Sequence, residues 1–164
     1  MEQEPCPACG ALVPKMEGPV HRYMESSPGC WSMYGEVLAR EYADAAYNAN
    51  HRLTVDAYAV QHPGQPSRQS IQSVGLHLTS LFLVLERGVQ LDVATEHLQR
   101  FARHKATFHR LDPPDDLGSK TIRDVWEAEG LEAHLKAVRD WAASAWAAWA
   151  THHGQIREWV RRFG

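Results

Sequence analysis

All three cysteines of this 164-residue chain lie within its first thirty residues, at Cys6, Cys9 and Cys30, and with His21 they form the pattern C-x2-C-x11-H-x8-C. Three thiolates and one imidazole make a complete tetrahedral donor set for zinc, and a C-x2-C turn brings two sulfurs to one metal without strain. The flanking residues suit that geometry. Pro7 stiffens the first turn, Gly10 lets backbone amides approach the sulfurs, and Pro28-Gly29 presents Cys30 at the start of a helical run. Residues 1–28 carry too few apolar side chains for a core of their own. A metal is therefore expected to order them, and such binding supplies on the order of 10 kcal/mol of folding free energy. Four protein ligands leave no open coordination position, so the expected zinc is structural rather than catalytic. The competing reading of Cys6-Pro7-Ala8-Cys9 is a redox pair. It is disfavoured because no strand pattern precedes Cys6, as one does in thioredoxin-like proteins.

With 44% hydrophobic residues, the chain has enough apolar surface for one domain over 1–164, divided into a zinc-binding cap (1–30) and a helical bundle (31–164). An odd number of cysteines, no leader-like start, and a longest apolar run of only Leu81 to Leu85 predict a cytoplasmic protein with reduced thiols and no membrane segment. Net charge is −3, from 17 basic and 20 acidic residues, so no broad cationic field is available to hold nucleic acid. Arg157, Arg161 and Arg162 read as the solvated, dipole-complementing end of a helix.

Beyond the cap, apolar residues recur every three or four positions and strand alternation is nearly absent, which predicts an all-α, up-and-down bundle. The expected helices run over Trp31–Tyr47, His51–Gln61, Ser67–Arg87, Leu91–Thr107, a short piece opened by Thr121 and Asp124, and one long helix from Leu131 to Arg162, about 48 Å by its rise per residue and bent near Gly154. His62-Pro63-Gly64-Gln65-Pro66 and Asp112-Pro113-Pro114-Asp115-Asp116 are breaks that no helix can cross. Ser67 supplies a cap for the third helix, expected to be central.

Nine further histidines remain after His21. His97, His104, His109 and His134 stand among charged neighbours and read as surface. His51 and His62 share a helix face with Val55 and Tyr58 but are separated by roughly 16 Å of regular helix, too far to bind one metal. His77 lies in a polar notch with Ser73 and Ser80, and His153 shares the inward stripe of the last helix. His51, Asp56, His62, His77 and His153 are thus the candidates for acid–base work near neutral pH, for a second divalent metal, or for a small-molecule pocket, with His62, His77 and His153 foremost. The plainer reading makes them buried histidines satisfied by hydroxyls or carbonyls, and makes the stripe of Trp141, Trp146, Trp149 and Trp159 core packing.

Cys6-Pro7-Ala8-Cys9-Gly10, Ser27-Pro28-Gly29-Cys30-Trp31, His51 through Tyr58 with Gln61-His62-Pro63, and His152-His153 with Ile156-Arg157 together resemble a bacterial family of small proteins catalogued only as a domain of unknown function. The likeness covers nearly the whole chain and implies the zinc knuckle and helical body, without an activity. More weakly, His152-His153-Gly154-Gln155-Ile156 resembles the closing motif of DinB/YfiT-type metal-dependent bundles. That likeness implies a divalent metal held by histidines and a hydrolase or thiol transferase. The chain departs from that motif by lacking the residue between the histidine pair and Gly-Gln, and by having Ala148 where an upstream histidine belongs. The expectation is a zinc-binding helical protein with a histidine-lined pocket. Its rivals are a non-catalytic module presenting Met24, Met33 and Tyr34 to a partner protein, and a DinB-like enzyme. Catalysis and oligomeric state stay open.

Overall fold

In a computed structural model describing residues 1–164, the C-x2-C segment is the turn of a small hairpin. Strands β1 (Gln3–Pro5) and β2 (Leu12–Pro14) pair antiparallel with Gln3 opposite Pro14 and Pro5 opposite Leu12. Between them the Cys6 amide donates to the Ala11 carbonyl and the Gly10 amide to the Cys6 carbonyl, with Gly10 at φ +76°, a conformation glycine adopts at no steric cost. Residues 15–27 form an irregular strap leading to α1 (Pro28–Ala43). The Ser27 hydroxyl caps that helix by accepting the Cys30 amide, and Pro28 sits where no amide donor is required.

Helix α2 (His51–Gln61) follows a 3-10 turn over Tyr47–Asn50 and stops at the His62-Pro63 break. Helix α3 (Arg68–Leu81) opens with a reciprocal cap between Ser67 and Ser70, then widens into a π turn over Phe82–Glu86 that ends at Gly88. Helix α4 (Leu91–Phe101) tightens into a 3-10 tail over Ala102–Thr107. Thr121 and Asp124 cap α5 (Ile122–Trp126), followed by α6 (Leu131–Ala148) and α7 (His153–Phe163).

The expected single helix from Leu131 to Arg162 is two helices, and the break lies before Gly154. Trp149 leaves the helical conformation, is fully buried, and donates its indole N–H to the Val60 carbonyl at 3.1 Å. A 3-10 turn over Ala150–His152 then redirects α7 to pack on α3 and α4, burying Ile156 and Trp159. Helices α2 and α3 form the central pair, with α6 against α2 and α5 against α1. The hydrophobic core is continuous from Cys6, Ala11 and Val13 of the hairpin to Ile156 and Trp159 of α7. No helix is long and apolar enough to cross a membrane.

The hairpin and strap reach the helices through two glycines. A Cβ on Gly29 would stand 2.0 Å from the Pro14 carbonyl oxygen, and one on Gly64 (φ +68°) 2.1 Å from that of Tyr23. Both obstacles are backbone, which cannot rotate away. Gly29→Ala is therefore expected to destabilise the protein by about 1–3 kcal/mol, the usual cost of overpacking. Gly35→Ala, at an exposed helical site with open space around it, should stabilise by about 0.5–1 kcal/mol. Urea midpoints of the two variants check the pair, and a neutral Gly29→Ala would remove the close approach from the account.

Candidate metal centre

Four donor atoms meet where the hairpin touches the helices: the sulfurs of Cys6, Cys9 and Cys30 and the Nε2 of His62, all within 4.8 Å of one another. The hairpin turn positions Cys6 and Cys9, the first turn of α1 positions Cys30, and the residue ending α2 is His62. Cys9 and Cys30 sulfurs are 3.9 Å apart, Cys6 sulfur is 3.7 Å from His62 Nε2, and Cys30 sulfur is 3.4 Å from it. A tetrahedral centre with metal–sulfur bonds of about 2.3 Å places its sulfurs about 3.8 Å apart, so the group has the size of a metal site.

The imidazole is set up as a ligand. His62 Nδ1 lies 2.6 Å from the Tyr58 carbonyl, which can only accept, so Nδ1 carries the proton and Nε2 presents its lone pair to the sulfurs. His62 is fully buried, and its ring stacks on Tyr58 at 3.9 Å. The Tyr58 hydroxyl in turn sits 3.4 Å from the Cys30 sulfur, and the Tyr34 ring stacks behind it at 3.8 Å. Without a metal the three thiols share few charges. Hydrogen bonds from Cys30 and Cys9 hold Cys6 ionised, far below the ordinary thiol range. Cys30 is pushed far up by its bond to Cys6, its contact with Cys9 and burial. Cys9, although bonded by Cys30, is pushed up to about 12 by its bond to Cys6 and by desolvation. Metal binding would displace the retained protons, since the thiolate is the ligand.

His21, the expected fourth ligand, is not in this group. Its Nδ1 accepts the backbone amides of Tyr23 and Met24 at 3.2 and 3.3 Å, and its ring packs edge-on against Tyr23 and Trp31. That imidazole closes a local turn of the strap. Desolvation and the neighbouring Arg22 both lower its proton affinity. The ligand pattern the fold builds is C-x2-C-x20-C-x31-H, whose last member is supplied by another helix.

The other candidate residues belong to separate clusters rather than one pocket. Asp56 is fully buried. It accepts the Arg52 guanidinium through Nη2 at 2.9 Å and Nε at 3.2 Å, the Ser80 hydroxyl, and His77 Nδ1 at 2.7 Å. His51 Nδ1 lies 2.9 Å from Glu41, a fully buried carboxylate that also accepts the Thr54 hydroxyl at 2.7 Å and His134 Nε2 at 2.9 Å. His153 stacks on Trp146 at 3.6 Å and donates Nε2–H to the Trp146 carbonyl, while His152 is bonded to the Asp112 carbonyl. His62, His77 and His153 therefore have three unrelated sets of partners. Met33 and Tyr34 lie in the core, with Met24 packed against it.

His134, expected at the surface from its charged neighbours, is fully buried. Its Nδ1 accepts from Arg40 at 3.3 Å and its Nε2–H donates to Glu41, which ties α6 to α1. Arg40 also donates to the Val125 and Trp126 carbonyls. His134→Phe should strip the buried carboxylate of a donor and cost about 1–3 kcal/mol or more. Thermal melting alongside metal analysis checks this; the metal content should not change, and a melt identical to the parent would make the contact energetically idle.

A model of a family of unknown function, DUF5946, matches residues 4–150, and the chain belongs to that family. The matched region contains all four donors, Asp56 and His77, and stops before His152 and His153. The likeness to DinB/YfiT-type bundles is not shown by this match. No curated protein and no solved structure matches the chain.

Proposed function

For a member of a family without an assigned activity, we propose that the Cys6, Cys9, Cys30 and His62 group is a structural zinc site that locks the hairpin and strap onto α1 and α2. The supporting observation is the donor set itself. Three sulfurs and one nitrogen of fixed tautomer stand at tetrahedral spacing in a buried position. Thiolates with one imidazole in that geometry favour zinc over the harder divalent ions. All four positions are filled by protein, so no coordination site remains for water or substrate, and any ligand recognition falls to the helical body. Zinc here would replace a set of partly protonated thiols by a single cross-link between residues 56 positions apart, Cys6 and His62.

Metal analysis of protein purified without added metal or a histidine tag should give about one zinc per chain, the complement of one four-ligand site. Removing the zinc with a chelator should lower the melting temperature. His62→Ala should weaken zinc binding by more than the roughly 100-fold that loss of a supporting partner alone can cost, and Cys9→Ser should do likewise. His21→Ala should leave the zinc in place. Retention of zinc by His62→Ala with loss from His21→Ala would overturn the ligand set, and a metal-free protein of unchanged stability would overturn the structural role.

A further inference from the structure

We propose that the Asp56–His77 pair forms a second functional site, a cleft for a small oxyanion that still carries a proton, of the phosphate or phosphate-monoester class. This goes beyond the zinc reading and does not depend on it. The protonation pattern follows from the partners. The buried Asp56 is bonded by the partly exposed Arg52 guanidinium, so its charge is compensated and the carboxylate can only accept. The Ser80 hydroxyl donates to one oxygen, and His77 Nδ1, 2.7 Å from the other, must donate as well. A neutral ring so bonded has its lone pair on Nε2, as in carboxylate-oriented histidines that act as bases or ligands.

The two buried carboxylate–histidine pairs differ here. Glu41 has no guanidinium or ammonium bonded to it, and both nitrogens of its His51 are engaged, one by Glu41 and the other by the Tyr42 hydroxyl at 3.1 Å. His77 has no such partner on Nε2. His77 lines a cleft of about 220 Å³ together with Tyr23, Gln69, Gln72, Ser73 and Lys105. The volume far exceeds the roughly 30 Å³ share of one water. Tyr23 comes from the strap, Gln69, Gln72 and Ser73 from α3, and Lys105 from the 3-10 tail after α4.

The charged and titratable groups bonded to His77 or sharing its cleft are Asp56, with Arg52 bonded to it, Lys105 and Tyr23. Lys105 is the cation of the cleft, and the amides and hydroxyl of Gln69, Gln72 and Ser73 offer neutral hydrogen bonds. A ligand matching all of these places negative charge at Lys105 and an O–H at Nε2. Dihydrogen phosphate has both, whereas sulfate at neutral pH has no proton to offer. When the proton transfers, the ligand O–H breaks and Nε2–H forms, leaving an imidazolium between Asp56 and a ligand dianion; no other bond changes.

Imidazole nitrogen NMR of the whole protein as purified tests this with inorganic phosphate as the probe. His77 should show the Nδ1–H tautomer, phosphate should shift its Nε2, and sulfate at equal ionic strength should not. Lys105→Gln should weaken phosphate binding about 10-fold or more, the loss of one charge-assisted contact. His77→Phe, checked for folding by its melt and zinc content, should abolish it. An Nε2–H tautomer, a ring unmoved by phosphate, or sulfate binding as tightly as phosphate would overturn the proposal. Each of those three readings is made on the unsubstituted protein, so a misfolded variant cannot hide the answer.

Discussion

The meeting of His62 with three sulfurs is the interaction on which the amino-terminal quarter of the molecule depends. A hairpin of two three-residue strands is marginal by itself, and the strap behind it has no regular structure. What anchors them is a small set of contacts, namely Cys6, Ala11 and Val13 in the core and backbone pressed against Gly29 and Gly64. Those two glycines lie beside Cys30 and two residues beyond His62, so the close packing and the donor group are parts of one junction. The junction also ties the cap to the central helix, because Tyr58 and His62 occupy successive turns of α2. Tyr58 supports the imidazole from below through its carbonyl and touches the Cys30 sulfur through its hydroxyl. Order in the cap and order at the end of α2 are therefore expected to be lost together.

A second constraint comes from two fully buried carboxylates. Glu41 on α1 is bonded by α2 through His51 and Thr54 and by α6 through His134, while Asp56 on α2 is bonded by α3 through His77 and Ser80. Each carboxylate thus stitches helices together in one register, since any slip would strand a buried charge at a cost of several kcal/mol. Apolar packing between α2, α3 and α6 would tolerate more than one alignment. The polar contacts select among them.

What the amino-acid sequence reveals divides along the same line between local and distant contacts. The three cysteines, the Ser67 cap, the Thr121–Asp124 cap and the proline breaks are legible because their physics is complete within a few residues. The fourth ligand is not. His21 lies between the cysteines in sequence and so suggests itself, but its Nδ1 is occupied by two amides of its own turn, while His62 reaches the sulfurs from another helix. One signal was available: a histidine four residues after Tyr58 and just before Pro63 can bond the carbonyl one turn back and aim Nε2 outward from the helix end. The His134 misreading has a geometric source. Its charged neighbours Glu132 and Lys136 are two positions away, on nearly the opposite side of a helix, so their polarity says nothing of its own face. The break at Trp149 needed knowledge of the Val60 carbonyl that its indole finds.

The two chemistries of the molecule are separated by the completeness of their bonding. A metal held by the cysteine group would find every coordination position taken by the protein, and the nearest tyrosine and carbonyl are already bonded to Cys30 and His62. Such a site resists exchange, which suits a clasp and not a reaction. Around Glu41 the bonding is equally closed: Thr54, His51 and His134 fill the carboxylate, and Arg40 and Tyr42 fill the remaining ring nitrogens. Asp56 differs in one respect. Its charge is met by the partly exposed Arg52, and the histidine it orients through Nδ1 has no bonded partner on its other nitrogen. Stability alone does not account for this pair, because an apolar group of the same shape would pack the α2–α3 seam at lower desolvation cost than a buried carboxylate and its partners.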